Sequence, residues 1–237
     1  MNSIERLTRK LRRKVVYHGV RNAVWLALLK GLGCDRWICA LHGHFIQEID
    51  PAFTELADGY AGSFIGERAL EAFVRDPEIA LPAEFVRYAL GKRDKCFGFV
   101  RDGALRAYGW YATTPTRVSP ELKMHFAHGY VYMYHAFTHA SHRGRRLFPA
   151  GMARALRHFR AIGYKGMLLY VDATNLDSLK SCARMGWRVF GTVYVVKLFG
   201  RNLIYCSPGC SRYGFSLEEV SDAARPAARA ATTRPST

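Results

Sequence analysis

Six consecutive residues, Arg143-Gly144-Arg145-Arg146-Leu147-Phe148, carry the makings of an anion site. A strand-like run, Tyr130 to Thr138, leads into them. A helical pattern leads away: Phe148, Met152, Leu156, Phe159 and Ile162 fall at spacings of four, four, three and three, which is one apolar stripe. A helix N-terminus offers amides that lack an intrahelical acceptor, at the positive end of the helix dipole. A basic, glycine-containing turn at that point can cradle a phosphate. The plainer alternative is a solvated basic turn that starts a helix. Pro149 suits the first helical turn, where the missing N–H has no intrahelical partner anyway, and Gly163 marks the end. A second helix is predicted from Asn175 through Met185, with Asn175 as N-cap and Gly186 as the stop. His135, on the strand, and His139, just beyond it, have the side chain that titrates near neutral pH. A histidine on a strand is more often structural. Asp172 is a further candidate, with capping near Asn175 as its plainer role.

These groups need a scaffold, and the pattern supplies strand, helix, strand, helix, strand. The strands are Tyr130–Thr138, Lys165–Asp172 and a long final run, Trp187–Phe199. That order predicts an α/β sheet with crossover connections. Upstream, Cys96–Val100 and Ala104–Ala112 read as a hairpin turning at Asp102-Gly103. Residues 51–95 read as amphipathic helices carrying Phe64, Leu70, Phe73, Phe85, Tyr88 and Leu90, broken at Pro51, Pro77 and Pro82. Trp37–Ile49 reads as an earlier strand, and Thr113–Pro120 as a loop.

Taken together, Tyr130–Phe199 resembles the GNAT (N-acetyltransferase) acyltransferase superfamily. In that family a strand runs into Arg/Gln-x-x-Gly-x-Gly/Ala at a helix start, whose amides bind the pyrophosphate of coenzyme A. Further on, an Asn-x-x-Ala/Ser helix ends at Gly-Phe. Here the first element is Arg143 to Phe148, and the second is Asn175-Leu176-Asp177-Ser178 closed by Gly186-Trp187. The hairpin also sits where the family has one, and the resemblance covers roughly residues 45–205.

The resemblance implies a mixed central sheet flanked by helices. It implies direct transfer of an acyl group from acetyl-CoA or another acyl-CoA to the amine of a small molecule or sugar, without a metal. Arg143, Gly144, Arg145, Arg146, Leu147 and Phe148 would bind the cofactor. The backbone of Ala136, Phe137 and Thr138 would lie beside the thioester and stabilise the oxyanion. Asn175 and Ser178 would hold the cofactor arm or position the second helix. Some members carry a catalytic Glu or His where this chain has Tyr134 and Tyr132; a tyrosine there can orient a water or the acceptor, and with His135 these residues line the site. Many members place an acidic Tyr at the position of Cys182. A thiol, with a pKa of about 8.5, can donate a proton; the alternative is a small buried side chain. Arg146 and Phe148 depart from the pattern, standing at its two Gly positions. Arg146 either neutralises phosphate directly or obstructs the close backbone approach that glycine allows. The segment Thr113–Gly129, with His125 and His128, is placed to close over the acceptor and read its identity.

The whole chain sets the remaining bounds. It has 237 residues, 35 Lys and Arg against 19 Asp and Glu, and a net charge of +16. Hydrophobic residues make up 49% and aromatic residues 13%, which excludes a disordered chain. The six cysteines are too few for a disulfide scaffold. The pair Cys206 and Cys210 has no second ligand pair at zinc-site spacing. Such basicity calls for anionic partners. No nucleic-acid-binding fingerprint is present, and a buried central strand explains the tyrosines of Tyr130–Tyr134 better than base stacking does. Residues 1–35 are expected to form a basic amphipathic segment, 36–215 the GNAT-like domain and 216–237 a disordered tail. Residues 1–30 hold eight basic residues and one acid, with apolar residues at helical spacing and Trp25. That suits either the anionic inner face of a membrane or packing on the body. A cytoplasmic location is expected, with peripheral membrane contact as the variant. Two other readings keep the fold. In one, the donor is an acyl carrier protein and the product a long-chain amide made at the membrane surface. In the other, the domain binds but does not catalyse.

Overall fold

The computed structural model describes residues 38–53, 59–79, 81–198 and 201–220. The basic segment 1–35, with its proposed membrane contact, lies outside these, as do residues 221–237. In chain order the elements are β1 (Ile38–Ile46), β2 (Ala61–Phe64), α1 (Glu67–Phe73), α2 (Ala83–Gly91), β3 (Lys95–Arg101) and β4 (Ala104–Ala112). There follow β5 (Thr116–Arg117), β6 (Leu122–His125), β7 (Tyr130–Thr138), α3 (Leu147–Ala161) and β8 (Gly166–Asp172). The chain continues with α4 (Leu176–Arg184), β9 (Arg188–Leu198), β10 (Arg201–Cys206) and β11 (Ser216–Glu219).

Eight strands form one sheet in the order β10-β9-β1-β8-β7-β4-β3-β2. Every neighbouring pair is antiparallel except β7 and β8, which are parallel and joined through α3. The expected crossover thus occurs once. It does not recur between β8 and β9, because β1 inserts between them and pairs antiparallel with both. Gly166 permits the close approach of β1 to β8: a Cβ there would lie 2.5 Å from the Phe45 ring and 2.7 Å from the Ile46 carbonyl oxygen. A small sheet, β11-β6-β5, packs beside the main one.

The sheet separates two cores. On one face Leu147, Met152, Leu156 and Phe159 of α3 pack on Phe97, Phe99, Val131, Met133 and Met167. Met152, Leu156 and Phe159 are at most 3% exposed, and burial of each contributes about 2 kcal/mol. On the other face Tyr108, Trp110, Tyr132, Tyr134 and Leu168 meet Val86 of α2 and Met124 and Leu217 of the small sheet.

The structure corrects several sequence expectations. Phe64 lies in strand β2, paired with Phe97, and not in a helix. Ile162 falls just beyond α3 and is 59% exposed, so the apolar stripe ends at Phe159. The Thr113–Pro120 loop contains a two-residue strand. The strand begun at Trp187 is not the last: β10 and β11 follow. Ser216–Glu219 belongs to the body, because it pairs with Leu122–His125.

Candidate active site

The site grows from one defect in strand pairing. Parallel pairing of β7 with β8 covers only Tyr130↔Gly166, Val131↔Met167 and Tyr132↔Leu168. β7 runs on to Thr138 and β8 to Asp172 with no further partnership, so the two strands diverge. On its other edge β7 bulges: Tyr134 pairs with Trp110 and Phe137 with Tyr108, which sets His135 and Ala136 against the single residue Gly109. His135 carries the bend at φ +44, a conformation that costs a non-glycine residue about 1–3 kcal/mol. Burial changes at the same point. Val131 to Tyr134 are buried, whereas His135 and Ala136 are exposed. The bulge therefore brings His135 out, which simple strand alternation did not require.

Past the divergence, a short 3-10 turn, Ala140–His142, leads to the start of α3. Gly144 and Arg146 both have positive φ, +77 and +59. Arg146 thus adopts the left-handed conformation that a glycine would take with less strain. It is the N-cap of α3, and no side chain caps the helix. The first intrahelical bond is Ala150 N–H to Arg146 O, 3.0 Å, leaving the amides of Leu147 and Phe148 to face outward ligands. The turn is held from outside: the Tyr60 hydroxyl lies 2.6 Å from His142 Nδ1. Burial and the charges of Arg106 and Arg145 lower the pKa of His142.

A cleft of about 1140 Å³ opens here, lined by Thr138, His142, Arg143, Arg146 and Phe148 on one side and by Ser178, Lys180 and Arg184 of α4 on the other, with Asp50 and Asp177 also on its wall. Arg143, Arg145 and Arg146 are exposed. The cleft is a helix N-terminus ringed by guanidinium groups, a fit for a diphosphate ester. Asn175 is the N-cap of α4, its side-chain oxygen accepting the Ser178 N–H at 3.2 Å. Asp172 accepts from Thr174 N–H at 2.7 Å and from the Thr174 hydroxyl at 2.6 Å. Both residues hold the β8–α4 turn.

A second hollow, about 480 Å³, lies on the opposite side of the divergence. It takes Tyr134 and His135 from β7 and Tyr170 from β8, with Phe85 and Tyr88 of α2 and Arg117 of β5. One stretch of β7 thus serves both spaces: Thr138 faces the cleft, Tyr134 and His135 the aromatic hollow, and Ala136 and Phe137 lie between. His135 Nε2 is 3.2 Å from the buried Tyr108 hydroxyl, and its ring packs 4.2 Å from that of Phe85.

Of the other expected residues, Tyr132 and Cys182 line neither the cleft nor the hollow. Tyr132 is fully buried, its hydroxyl without a hydrogen-bond partner and its ring stacked on Tyr134 and Tyr170. Burial holds its pKa well above the usual tyrosine value. Cys182 is 1% exposed among core residues of the α3 face, and burial pushes its thiol up to about 11. Neither geometry suits proton exchange with a substrate. Tyr134 donates to Asp94 at 2.5 Å. Asp94 is 4% exposed and also meets Lys92 at 3.1 Å; burial raises its pKa, against the opposing effects of Tyr134 and Lys92. Sequence reasoning missed Asp94 because Lys92-Arg93-Asp94-Lys95 looks like a solvated turn. It missed Phe85, Tyr88, Arg117 and Tyr170 because only tertiary contact gathers them. His125 pairs with Glu218 at 2.6 Å, which ties β6 to β11. Among the described residues no His, Cys, Asp and Glu cluster could hold a metal, and no helix is long and apolar enough to cross a membrane.

No family model matches the chain, and no curated protein does. Solved structures resemble it at low identity. A GCN5-related N-acetyltransferase from Sphaerobacter thermophilus gives a TM-score of 0.48 at 14% identity, over 84% of this chain and 56% of that one. A GCN5-related N-acetyltransferase-like protein from Streptococcus suis 89/1591 gives 0.48 at 13%, over 72% and 65%. An N-acetyltransferase from Staphylococcus aureus Mu50 gives 0.43 at 17%, over 68% and 98%. A transcriptional regulator from Bacillus halodurans C-125 also matches, at 0.41 and 15%, over 54% and 93%. The chain has a mixed α/β fold in which a large, mostly antiparallel sheet is flanked by helices.

Proposed function

We propose that this protein is a GNAT-type N-acyltransferase that moves an acyl group from a coenzyme A thioester to an amine. The observation that carries the reading is the divergence of β7 from β8 beside the arginine-ringed start of α3. It leaves one edge of Ala136–Thr138 without a strand partner between an arginine-lined cleft and an aromatic hollow. The donor, when bound, supplies an acyl carbonyl activated as a thioester. Arg143, Arg146 and the first amides of α3 hold its phosphates. The backbone of Ala136–Thr138 lies beside the carbonyl and stabilises its developing negative charge. His135 removes the proton that the attacking amine must lose; the C–S bond then breaks, and the thiolate leaves and takes up a proton from the imidazolium or from water. The exposed arginines at the cleft equally suit the phosphopantetheine of an acidic carrier protein, so the donor test includes both forms.

Release of free thiol from acyl-CoA species of increasing chain length, and from the matching acyl carrier protein, is measured against a panel of amines. Amine-dependent release is expected, with kcat in His135→Ala lower by about 10²-fold or more. Absence of release from every donor, by protein that remains folded, would sink the reading in favour of a silent binding domain.

A further inference from the structure

We infer that the apolar run Ala23–Leu29 folds back on the body and covers the open face of β9 and β10, instead of serving as a membrane contact. Strand alternation defines that face. Val193 and Val195 of β9 are buried in the core opposite α3, and Ile204 and Cys206 of β10 pack against the same core. Tyr194, Val196, Leu203 and Tyr205 therefore point to the side of the sheet on which α3 lies. α3 packs over β3, β4, β7 and β8 and leaves this end of the sheet open: Tyr194 is 38%, Leu203 56% and Tyr205 62% exposed. Tyr205 pairs with Tyr194 and Leu203 with Val196, the two tyrosine rings lying 6.1 Å apart, so the four side chains make one apolar strip. An exposed strip of this kind marks an interaction surface.

The chain enters the sheet beside this strip. Ile38, the first described residue, pairs with Val196, and Val196 with Leu203. Leu203 thus stands two strand spacings, about 10 Å, from the point where residues 1–37 join the body. Among those residues, Ala23–Leu29 is an unbroken apolar run between Arg21 and Lys30. An interfacial helix needs a charged face for the water side, and this run has none. It is also too short to span a bilayer. A run that is apolar all round calls for burial against protein. Seven residues extend about 10 Å as a helix, enough to lie across both strands. The link Lys30–Trp37 reaches about 25 Å when extended, more than the distance required, and Gly31 and Gly33 allow the chain to reverse.

Hydrogen–deuterium exchange of the full chain tests this in wild type, in a Leu203→Glu, Tyr205→Glu double variant and in Trp25→Glu. Leu203 and Tyr205 are exposed, so the new charges leave both cores intact, and the amides of β8 report that the fold is kept. In wild type without lipid, the amides of residues 23–29 are expected to exchange about tenfold or more below the unstructured rate. The double variant and Trp25→Glu each raise that exchange by about tenfold, while β8 stays protected and the sedimentation coefficient does not report a change of oligomeric state. Unprotected amides in wild type, or protection that survives both variants, overturn the inference. Protection that appears only with phosphatidylglycerol vesicles gives the run to a membrane and overturns it. A wild-type dimer that the double variant dissociates gives the strip to a second copy of the chain and overturns it equally.

Discussion

His44 shows how a single side chain can set the acid limit of this fold. It sits on β1 with 3% exposure, and neither ring nitrogen has a hydrogen-bond partner. Burial, with the nearby charge of His42, lowers its pKa to about 4. The neutral ring is therefore preferred in the fold, whereas the unfolded chain binds the proton near pH 6.5. Its contribution to stability is complete above pH 6.5 and is lost as pH falls from 6.5 to 4, by about 3 kcal/mol at most. Thermal unfolding of His44→Phe followed from pH 7 to pH 4 should show a flatter decline than wild type. Parallel declines would contradict the assignment. At this same scale the sequence was informative about residue type and poor about direction. His135 was recognisable as a candidate base, but its direction depends on the bulge opposite Gly109, which no local pattern records. Cys182 stands where the resemblance expects a tyrosine, yet its helix points it into the core.

Among the elements, those whose signals are local were legible. The Asp102-Gly103 turn has φ of +53 and +74, as its residue types require. Strand β7, helix α3 and the Asn175 cap fall where spacing and capping residues put them. The cap is also testable as a cap. Asn175→Ala should cost about 1 kcal/mol in urea unfolding, while CoA affinity changes less than about threefold because the side chain is engaged by Ser178 N–H. A large loss of CoA affinity with unchanged stability would instead make Asn175 a ligand contact. The elements that sequence did not reveal are short or depend on distant partners. β2 and β5 have four and two residues, too few for a period to emerge. The place of β1 between β8 and β9 is set by pairing across more than a hundred residues. No local pattern records such a partner.

For the molecule as a whole, the charge of +16 divides between the segment 1–30 and a body whose arginines gather at the start of α3. In the proposed reading, that gathering gives the donor cleft its sign, and the divergence of β7 and β8 opens it toward the acceptor side. Isothermal titration of CoA into the protein tests the arginine-lined cleft as the donor site. Saturable one-to-one binding to wild type is expected, weaker by about 10–100-fold in an Arg143→Ala, Arg146→Ala double variant. Absence of binding to wild type, or equal affinity in the double variant, would contradict it.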